Sequence, residues 1–417
     1  MKQFIQNKEH RNFLRFWLAQ LVSQFGDRVH QMALVGLIAA RNPGSSLELA
    51  KLMAFTIIPV FIIGPIAGVY VDRWDRRTTL FVCDFIRGIL VLAIALYLMN
   101  LPSMIPVYLA VFVIFSFSRF YVPAKMSIIP QIVPPKDLHM ANSLVSVTGM
   151  IALVLGALLG GLIVEYGGAR GGFLWDASTF FISGMLVFSI SRMRKWRISK
   201  TKLVKNTKEM VSTHKTVRAE INEGLRYISK NKDIRLIFGM MSVLFAAAGA
   251  VYVVIIVFVQ QAFHSVTKDL GFLAVPLGAG LLIGSLIYGR WGKNISKLKI
   301  MYCSLILGGL MIALFTTFVE GTHNRWLAMG LAGVLGLVSG PMVIAANTVV
   351  HTVCNNTMSG KVFAALEFVM HLAFLLAMLV SSILAEHIAR AWILMAVGVI
   401  FMGVGLVGLC RRTKESL

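Results

Sequence analysis

Long apolar runs alternate with short polar segments along the whole chain. Twelve of these runs are long enough to cross a hydrocarbon layer about 30 Å thick as a helix. They cover residues 13–40, 48–71, 79–99, 105–122, 138–164, 171–190, 234–260, 270–289, 299–319, 326–350, 361–385 and 390–410. The pattern therefore predicts an all-α membrane protein with twelve transmembrane helices.

Composition and charge placement agree with a membrane protein. Hydrophobic residues make up 57% of the 417 positions, more than a soluble globular domain contains. The formal net charge of +22 raises the question of nucleic-acid binding, so we located the 40 Lys and Arg. With the N-terminus placed in the cytoplasm, 31 of them fall in cytoplasmic segments, 6 fall outside and 3 lie within helices. This asymmetry follows the positive-inside rule, so we expect both termini in the cytoplasm and no nucleic-acid partner.

A hydrophilic segment divides the chain into two halves. Residues 191–235 contain 14 Lys and Arg, and we predict six-helix halves over 1–190 and 234–417, joined by a basic cytoplasmic linker over 191–233. Apolar residues recur within the linker at helical spacing with basic neighbours: Val217, Ile221, Leu225 and Ile228. This pattern predicts an amphipathic helix on anionic membrane lipids; a solvated charged linker is the alternative.

Helix 1 carries a stripe of polar side chains. At 100° per residue, four of them fall within about 60° of one another: Gln20, Gln24, Asp27 and Gln31. Ser23 and His30 lie to one side of these four, and Arg28 lies to the other. Lipid would reject such a stripe, so we expect it to face the bundle interior or an aqueous cavity. Asp27 is the best candidate for proton coupling, because a carboxyl removed from water binds a proton more readily. The alternative is that Arg28 or Arg119 keeps Asp27 ionised and that it only holds helices together.

The second half contains its own polar candidates. Asn347 lies in helix 10, and Glu367 and His371 lie four residues apart in helix 11, hence on one face. A carboxylate at that depth is costly, so we expect this pair to line the cavity. In the alternative, Glu367 pairs with a helix 10 group such as His351 and only stabilises the bundle.

The segment from Gly68 to Leu80 places five charges within six residues between two apolar runs. Such a cluster belongs at the membrane surface, which predicts a hairpin tip between helices 2 and 3. Asp84 and Arg87 follow in helix 3, three residues apart on one face. We interpret them as an ion pair that supports this loop.

This loop resembles the signature of the major facilitator superfamily, G-x-L-a-D-R-x-G-R-[KR]. Tyr70 and Asp75 depart from it. The five residues that match it are Gly68, Asp72, Arg73, Arg76 and Arg77. The resemblance implies the family's fold and a gating role for the loop. We expect Asp72 to accept hydrogen bonds from the start of helix 11 near Gly360, and the three arginines to engage acidic groups and lipid phosphate.

Further motifs are similar to the efflux branch of this superfamily, which holds macrolide efflux pumps, the enterobactin exporter and the bacterial lysophospholipid transporter. Pro123-Ala-Lys125 and Leu138-His-Met-Ala-Asn142 carry this likeness. The run Gly156-Ala-Leu-Leu-Gly160-Gly161 resembles the antiporter motif G-P-x-x-G-G. Small residues at this spacing also let two helices approach closely, so packing alone is an equal interpretation.

No Walker A sequence, catalytic triad or metal-ligand pattern occurs, and the four cysteines show no paired spacing. We therefore expect no enzyme activity, no cofactor and no metal. We also expect the protein to be a monomer. The leading hypothesis is a secondary transporter of the bacterial inner membrane that exports a small amphiphile, drug or siderophore-like, by alternating access in antiport with protons. A lysophospholipid flippase is the runner-up, and a membrane enzyme or acyltransferase partner is the third alternative.

Overall fold

The computed structural model describes residues 10–71, 73–191, 226, 228, 232–292, 295–353 and 359–415. This part of the chain is helical and contains no strand. Its α-helices are α1 Arg11–Arg41, α2 Ser46–Ile62, α3 Gly64–Val71, α4 Arg76–Leu96, α5 Ile105–Ile132, α6 Leu138–Phe188, α7 Lys232–Phe263, α8 Lys268–Trp291, α9 Lys297–Thr322, α10 Arg325–Val353, α11 Ser359–Leu384 and α12 Arg390–Glu415.

The number of helices is not the number of membrane crossings. The predicted second span is interrupted, because α2 ends at Ile62 and α3 begins at Gly64. Conversely, α6 runs through two predicted spans. Within the described residues, nine helices are long and apolar enough to cross a membrane, and one of these is the double-length segment that contains α6. The chain is therefore a multi-pass integral membrane protein.

A glycine marks the bend inside α6. Gly168 has a φ of 69° and a ψ of 175°, a conformation that side chains with a Cβ disfavour. The two helical parts on either side correspond to the predicted runs 138–164 and 171–190. Arg170, just past the bend, donates to the carbonyl oxygen of Ala95 at 3.1 Å and to Asn100 Oδ1 at 3.0 Å. The bend is thus tied to the end of α4.

The chain forms two compact units. Unit 1 comprises residues 1–37 and 52–218, and unit 2 comprises residues 38–51 and 219–417. The division after Arg218 falls within the predicted linker. Most of that linker, with Val217, Ile221 and Leu225 of the predicted amphipathic helix, lies outside the described residues; Ile228 is described, and it is helical and buried.

Unit 1 has an aromatic and aliphatic core at one end of its helices. Phe13 and Phe16 of α1, Leu80 of α4, Ile128 of α5 and Val187 of α6 are all fully buried in this cluster. These residues come from positions far apart in the chain, so the cluster holds four helices together. Helices in a membrane associate through van der Waals packing of such side chains, because lipid tails are as apolar as the side chains themselves.

α1 and α6 pack closely where the sequence places its glycine motif. A Cβ on Gly156 would lie 2.9 Å from Cγ of Arg28, and one on Gly160 would lie 3.0 Å from Cα of Val29. Gly161 is buried in the same helix. The glycines thus let the two backbones touch, as the packing interpretation of this motif requires.

Unit 2 uses the same device more strongly. A Cβ on Gly280 of α8 would lie 2.1 Å from the carbonyl oxygen of Gly333 in α10, and one on Gly284 would lie 2.1 Å from that of Leu337. α8 and α10 therefore pack backbone to backbone. The connection between α1 and α2 also belongs to unit 2, where Arg390 of α12 donates to Ser46 Oγ at 3.1 Å.

Candidate functional site

A buried ion pair lies at the centre of unit 1. Asp84 and Arg87 are one turn apart in α4, and both side chains are removed from solvent. Arg87 Nη2 donates to Asp84 Oδ1, and Ser183 Oγ of α6 donates to Asp84 Oδ2 at 2.7 Å. A buried carboxylate with both oxygens occupied in this way is well satisfied. The ion pair predicted from the spacing of Asp84 and Arg87 is present, and its support of the loop before α4 stays a prediction. Its further partners come from α5 and α6.

Two aromatic rings enclose the guanidinium group of Arg87. Its Cζ lies 4.4 Å from the ring centroid of Tyr121 in α5 and 4.3 Å from that of Phe180 in α6. Desolvated cation–π contacts of this kind contribute up to about 2 kcal/mol. The hydroxyl of Tyr121 also accepts a hydrogen bond from Gln20 of α1. Four helices thus supply the surroundings of one arginine.

Asp27 approaches the same arginine from the polar stripe of α1. Its Oδ1 lies 3.8 Å from Arg87 Nη1, too far for a hydrogen bond but within reach of an ion pair. The Asp27 side chain is 43% exposed, whereas that of Arg87 is 3% exposed. One permanent cation therefore faces two carboxylates: Asp84, which is buried and hydrogen-bonded, and Asp27, which is open to solvent and loosely held.

The other stripe residues have different surroundings. Arg28 Nη1 donates to Gln31 Oε1 at 2.9 Å, and the described residues include no ion pair between Arg28 and Asp27. Gln24 is half-buried, and its Oε1 lies 3.0 Å from the position that a Cβ on Gly149 would take. The stripe therefore contacts α6 as well as the Arg87 network.

A second buried polar pair in unit 1, between a histidine and an aspartate, is not predicted from the sequence. His30 Nδ1 of α1 lies 2.9 Å from Asp176 Oδ2 of α6, and both side chains are buried. The imidazole ring packs against Phe173, with ring centroids 5.5 Å apart. The available signal was Asp176 itself, because an ionisable residue within an apolar run indicates a functional site.

α1 lies against α6 at this pair because Gly26 lacks a side chain. A Cβ on Gly26 would come within 1.9 Å of Thr179 Oγ1 and 2.7 Å of Asp176 Oδ1. Real Cβ atoms essentially never lie this close to a neighbouring heavy atom. The glycine therefore permits the approach that brings His30 to Asp176.

The candidates of unit 2 are more open. Glu367 is exposed on α11, and His371 Nδ1 lies 2.8 Å from the carbonyl oxygen of Glu367. Because a carbonyl only accepts, Nδ1 of His371 is the donor in this bond. Asn347 lies in α10, but its side chain is outside the described residues, as is that of His351. Among the residues described, no three His, Cys, Asp or Glu gather as metal ligands.

The loop before α4 contains the start signal of that helix. Asp75 Oδ1 accepts from the backbone N–H of Thr78 at 2.8 Å and from its hydroxyl at 2.7 Å, which is an N-cap. Asp75 thus has a structural role at the position where the signature has Gly. Gly68 lies in α3, and Asp72 lies outside the described residues.

The arginines of this loop differ in their contacts. Arg73 is exposed, and Arg76 Nη1 donates to the carbonyl oxygen of Trp74 at 3.0 Å. Arg77 donates to the carbonyl oxygens of Val187 and Phe188 at the end of α6. A cation at a helix C-terminus is favourable, because the last carbonyls have no partner within the helix. Arg77 thus binds backbone within unit 1, and its expected contacts with acidic groups and lipid phosphate stay a prediction.

Comparison with known proteins is consistent across the chain. The family model of the Major Facilitator Superfamily matches residues 16–278 and 237–416. The MFS-type transporters YkuC and YfiS of Bacillus subtilis are 30% and 26% identical, over 85% and 98% of this chain and 81% and 95% of their own. Macrolide efflux protein A of Streptococcus pyogenes is 22% identical, over 97% of this chain and 96% of its own.

Solved structures agree at the level of the fold. The crystal structure of the nucleoside transporter NupG superposes with a TM-score of 0.70 at 13% identity, covering 95% of this chain and 97% of its own. At this identity the likeness concerns the fold alone. Taken with the family match and the relatives, it leads to one conclusion: the chain belongs to the Major Facilitator Superfamily of transporters.

Proposed function

We propose that this protein is a secondary transporter of the bacterial inner membrane that exports a small amphiphilic molecule in exchange for protons. Support for export comes from the relatives, which include a macrolide efflux protein alignable over nearly the whole chain. Alternating access is the general mechanism of transporters built from paired halves. The proposed substrate is a drug or a siderophore-like molecule.

One observation carries the proton-coupling part: the half-exposed carboxylate of Asp27 lies 3.8 Å from the buried guanidinium of Arg87. Arg87 stays charged at any physiological pH. Its second partner, Asp84, has a hydrogen bond from Ser183 and is not reached by solvent. Asp27 is therefore the carboxylate that a proton can reach.

Protonation of Asp27 changes the forces between helices. As a carboxylate, Asp27 attracts Arg87 and draws α1 toward α4. As a neutral acid it loses this attraction, and Arg87 is then balanced by Asp84 alone. Each proton that binds or leaves thus alters how firmly α1 is held in unit 1, which is the differential contact that a coupled transporter requires.

In this proposal the substrate meets the polar stripe of unit 1. Gln20, Gln24 and Gln31 offer amide groups for hydrogen bonding, and Glu367 and His371 are a second polar set within unit 2. An amphiphile needs a few polar contacts and mostly apolar walls. A protonated amine on the substrate would compete with the proton for Asp27, which would make exchange obligatory.

Transport into everted inner-membrane vesicles tests the function. We expect vesicles that contain the protein to accumulate a fluorescent cationic drug when respiration acidifies their interior, and to lose it when a protonophore collapses the gradient. Glu320→Gln neutralises an exposed carboxylate of α9 outside the network. It serves as the control for Asp27→Asn in the same vesicles.

The same vesicles separate the alternatives. Accumulation of labelled lysophospholipid without accumulation of drug would replace the drug exporter by a lysophospholipid transporter. Chemical turnover of labelled lipid without net movement would favour a membrane enzyme. Drug accumulation that ignores the protonophore would contradict proton exchange.

A further inference from the structure

A pocket of about 340 Å³ lies at one end of unit 2, where α7 ends and where α8 and α10 begin. Its volume is within the range of small-molecule sites. Aromatic and charged side chains line it together: Phe263, Phe272, Trp326, Lys268, Asp269 and Arg325. None of these residues belongs to the transport site proposed above.

Asp269 supplies a buried acceptor at this pocket. Its side chain is 3% exposed, and its Oδ1 lies 2.9 Å from Arg325 Nε. Its other oxygen, Oδ2, is buried and has no hydrogen-bond partner among the described residues. A buried carboxylate oxygen without a hydrogen bond is unfavourable, so a ligand that donates a hydrogen bond there would be stabilised.

The cations of the pocket point to a second group on the ligand. Arg325 uses Nε for Asp269 and Nη2 for the carbonyl oxygen of Phe263 at 3.3 Å. In the described part of the chain its third nitrogen, Nη1, has no hydrogen-bond partner. Lys268 adds another positive charge beside it. The unused Nη1 of Arg325 beside the unpaired Oδ2 of Asp269 favours a ligand that carries both an anion and a donor, because guanidinium groups bind phosphate well.

The surface beside the pocket is apolar. Trp326 is 81% exposed at the beginning of α10, and tryptophan at a helix end is typical of the membrane interface. Leu327 and Val334 are exposed as well, and residues seven apart lie on the same face of a helix. This face of α10 offers a path for an acyl chain that starts beside Trp326.

We propose that this pocket binds a zwitterionic phospholipid whose headgroup carries a primary ammonium. The ammonium donates to Asp269 Oδ2, the phosphate contacts Arg325 and Lys268, and an acyl chain lies along α10 past Trp326. A trimethylated headgroup has no N–H to donate, so it cannot satisfy Oδ2. The site therefore discriminates between the two headgroups by hydrogen bonding and not by charge.

Lipid binding to the purified full-length protein in detergent tests the site, with native mass spectrometry as the readout. The probes are phosphatidylethanolamine, phosphatidylcholine and phosphatidylglycerol with identical acyl chains. We expect the wild type to bind phosphatidylethanolamine about tenfold more tightly than phosphatidylcholine, which corresponds to about 1.4 kcal/mol. Asp269→Asn should bind the two equally.

Asp269→Asn also breaks the pair with Arg325, so a loss of binding caused by misfolding must be distinguished from the loss of the acceptor. A second variant, at an exposed residue, makes this distinction. Trp326→Ala removes an exposed side chain and should weaken all three lipids while leaving the preference intact. Trp392→Ala is its matched control: Trp392 is 66% exposed near the beginning of α12 and does not line the pocket. It should bind like the wild type.

Three results would overturn the proposal. Equal binding of phosphatidylethanolamine and phosphatidylcholine by the wild type would mean that Oδ2 receives no ligand donor. Tightest binding of phosphatidylglycerol would mean a site for anions alone. Equal effects of the two tryptophan variants would mean that lipid binds elsewhere. Export in vesicles is measured separately, so failure here leaves the transport proposal standing.

Discussion

Asp27 Oδ1 lies 3.8 Å from Arg87 Nη1, and the two residues differ sharply in solvent exposure, at 43% and 3% of their side chains. The carboxylate of this pair is exposed, whereas the guanidinium is buried and permanently charged. The arrangement joins α1, which carries the polar stripe, to α4, which begins at the signature loop. The expected effect of substituting Asp27 follows from this contact.

We expect Asp27→Asn to abolish export driven by a pH gradient and to leave substrate binding within about tenfold, or roughly 1.4 kcal/mol. The amide has the same shape but cannot release a proton. Drug binding to the purified variant and accumulation in everted vesicles measure the two quantities separately. Export by Asp27→Asn that still collapses with the proton gradient would rule out the carrier role of Asp27.

Removing Arg87 should destabilise unit 1 strongly. Arg87→Met leaves the buried carboxylate of Asp84 without its counter-charge, and breaking a buried pair in this way costs about 3–5 kcal/mol. The double variant Asp84→Asn with Arg87→Met removes both charges, so it should recover much of that loss. Thermal unfolding in detergent measures the difference. A double variant less stable than Arg87→Met would show that Asp84 is not the group left uncompensated.

Enlarging Gly160 should separate α1 from α6. In Gly160→Val the new side chain would meet Val29, whose Cα already lies 3.0 Å from the Cβ position, and overpacking of this kind costs about 1–3 kcal/mol. Gly171→Ala is the matched control, since nothing lies within 4 Å of the Cβ position at Gly171. If the two variants unfold at the same temperature, the close approach of α1 and α6 at Gly160 is wrong.

The N-cap at Asp75 should protect the first turn of α4. Asp75→Ala removes the acceptor for the Thr78 N–H and should cost about 1 kcal/mol locally. Asp75→Asn keeps an acceptor and should behave like the wild type. Hydrogen exchange of the Thr78 amide measures the effect, with about fivefold faster exchange expected for the alanine variant. Unchanged exchange in Asp75→Ala would mean that the cap is not formed in solution.

For Glu367 we expect a functional effect without a structural one. The side chain is exposed on α11, so Glu367→Ala should reduce export while the unfolding temperature stays within about 1 °C of the wild type. Glu320→Ala, at an exposed position of α9, controls for the loss of a surface charge. Normal export with a lowered unfolding temperature would establish that Glu367 only stabilises the bundle.

The sequence by itself determined the features that depend on neighbouring residues. An apolar run long enough to cross the bilayer is a local property, and so is the spacing that puts Gln20, Gln24 and Asp27 on one face of a helix. The same holds for Asp84 and Arg87, because residues three apart in a helix must be neighbours. The signature loop with Gly68 and the arginines also indicated the superfamily before any fold was known.

Only the tertiary structure decided which groups meet across helices. Periodicity along one helix says which face is polar, but it does not say which residue of a distant helix lies opposite, because that depends on the depth and rotation at which two helices pack. Arg87 thus meets Asp27 rather than only its neighbour Asp84, and His30 meets Asp176 because Gly26 lets α1 and α6 approach. The ionic contacts of unit 1 follow from that packing, which no local pattern contains.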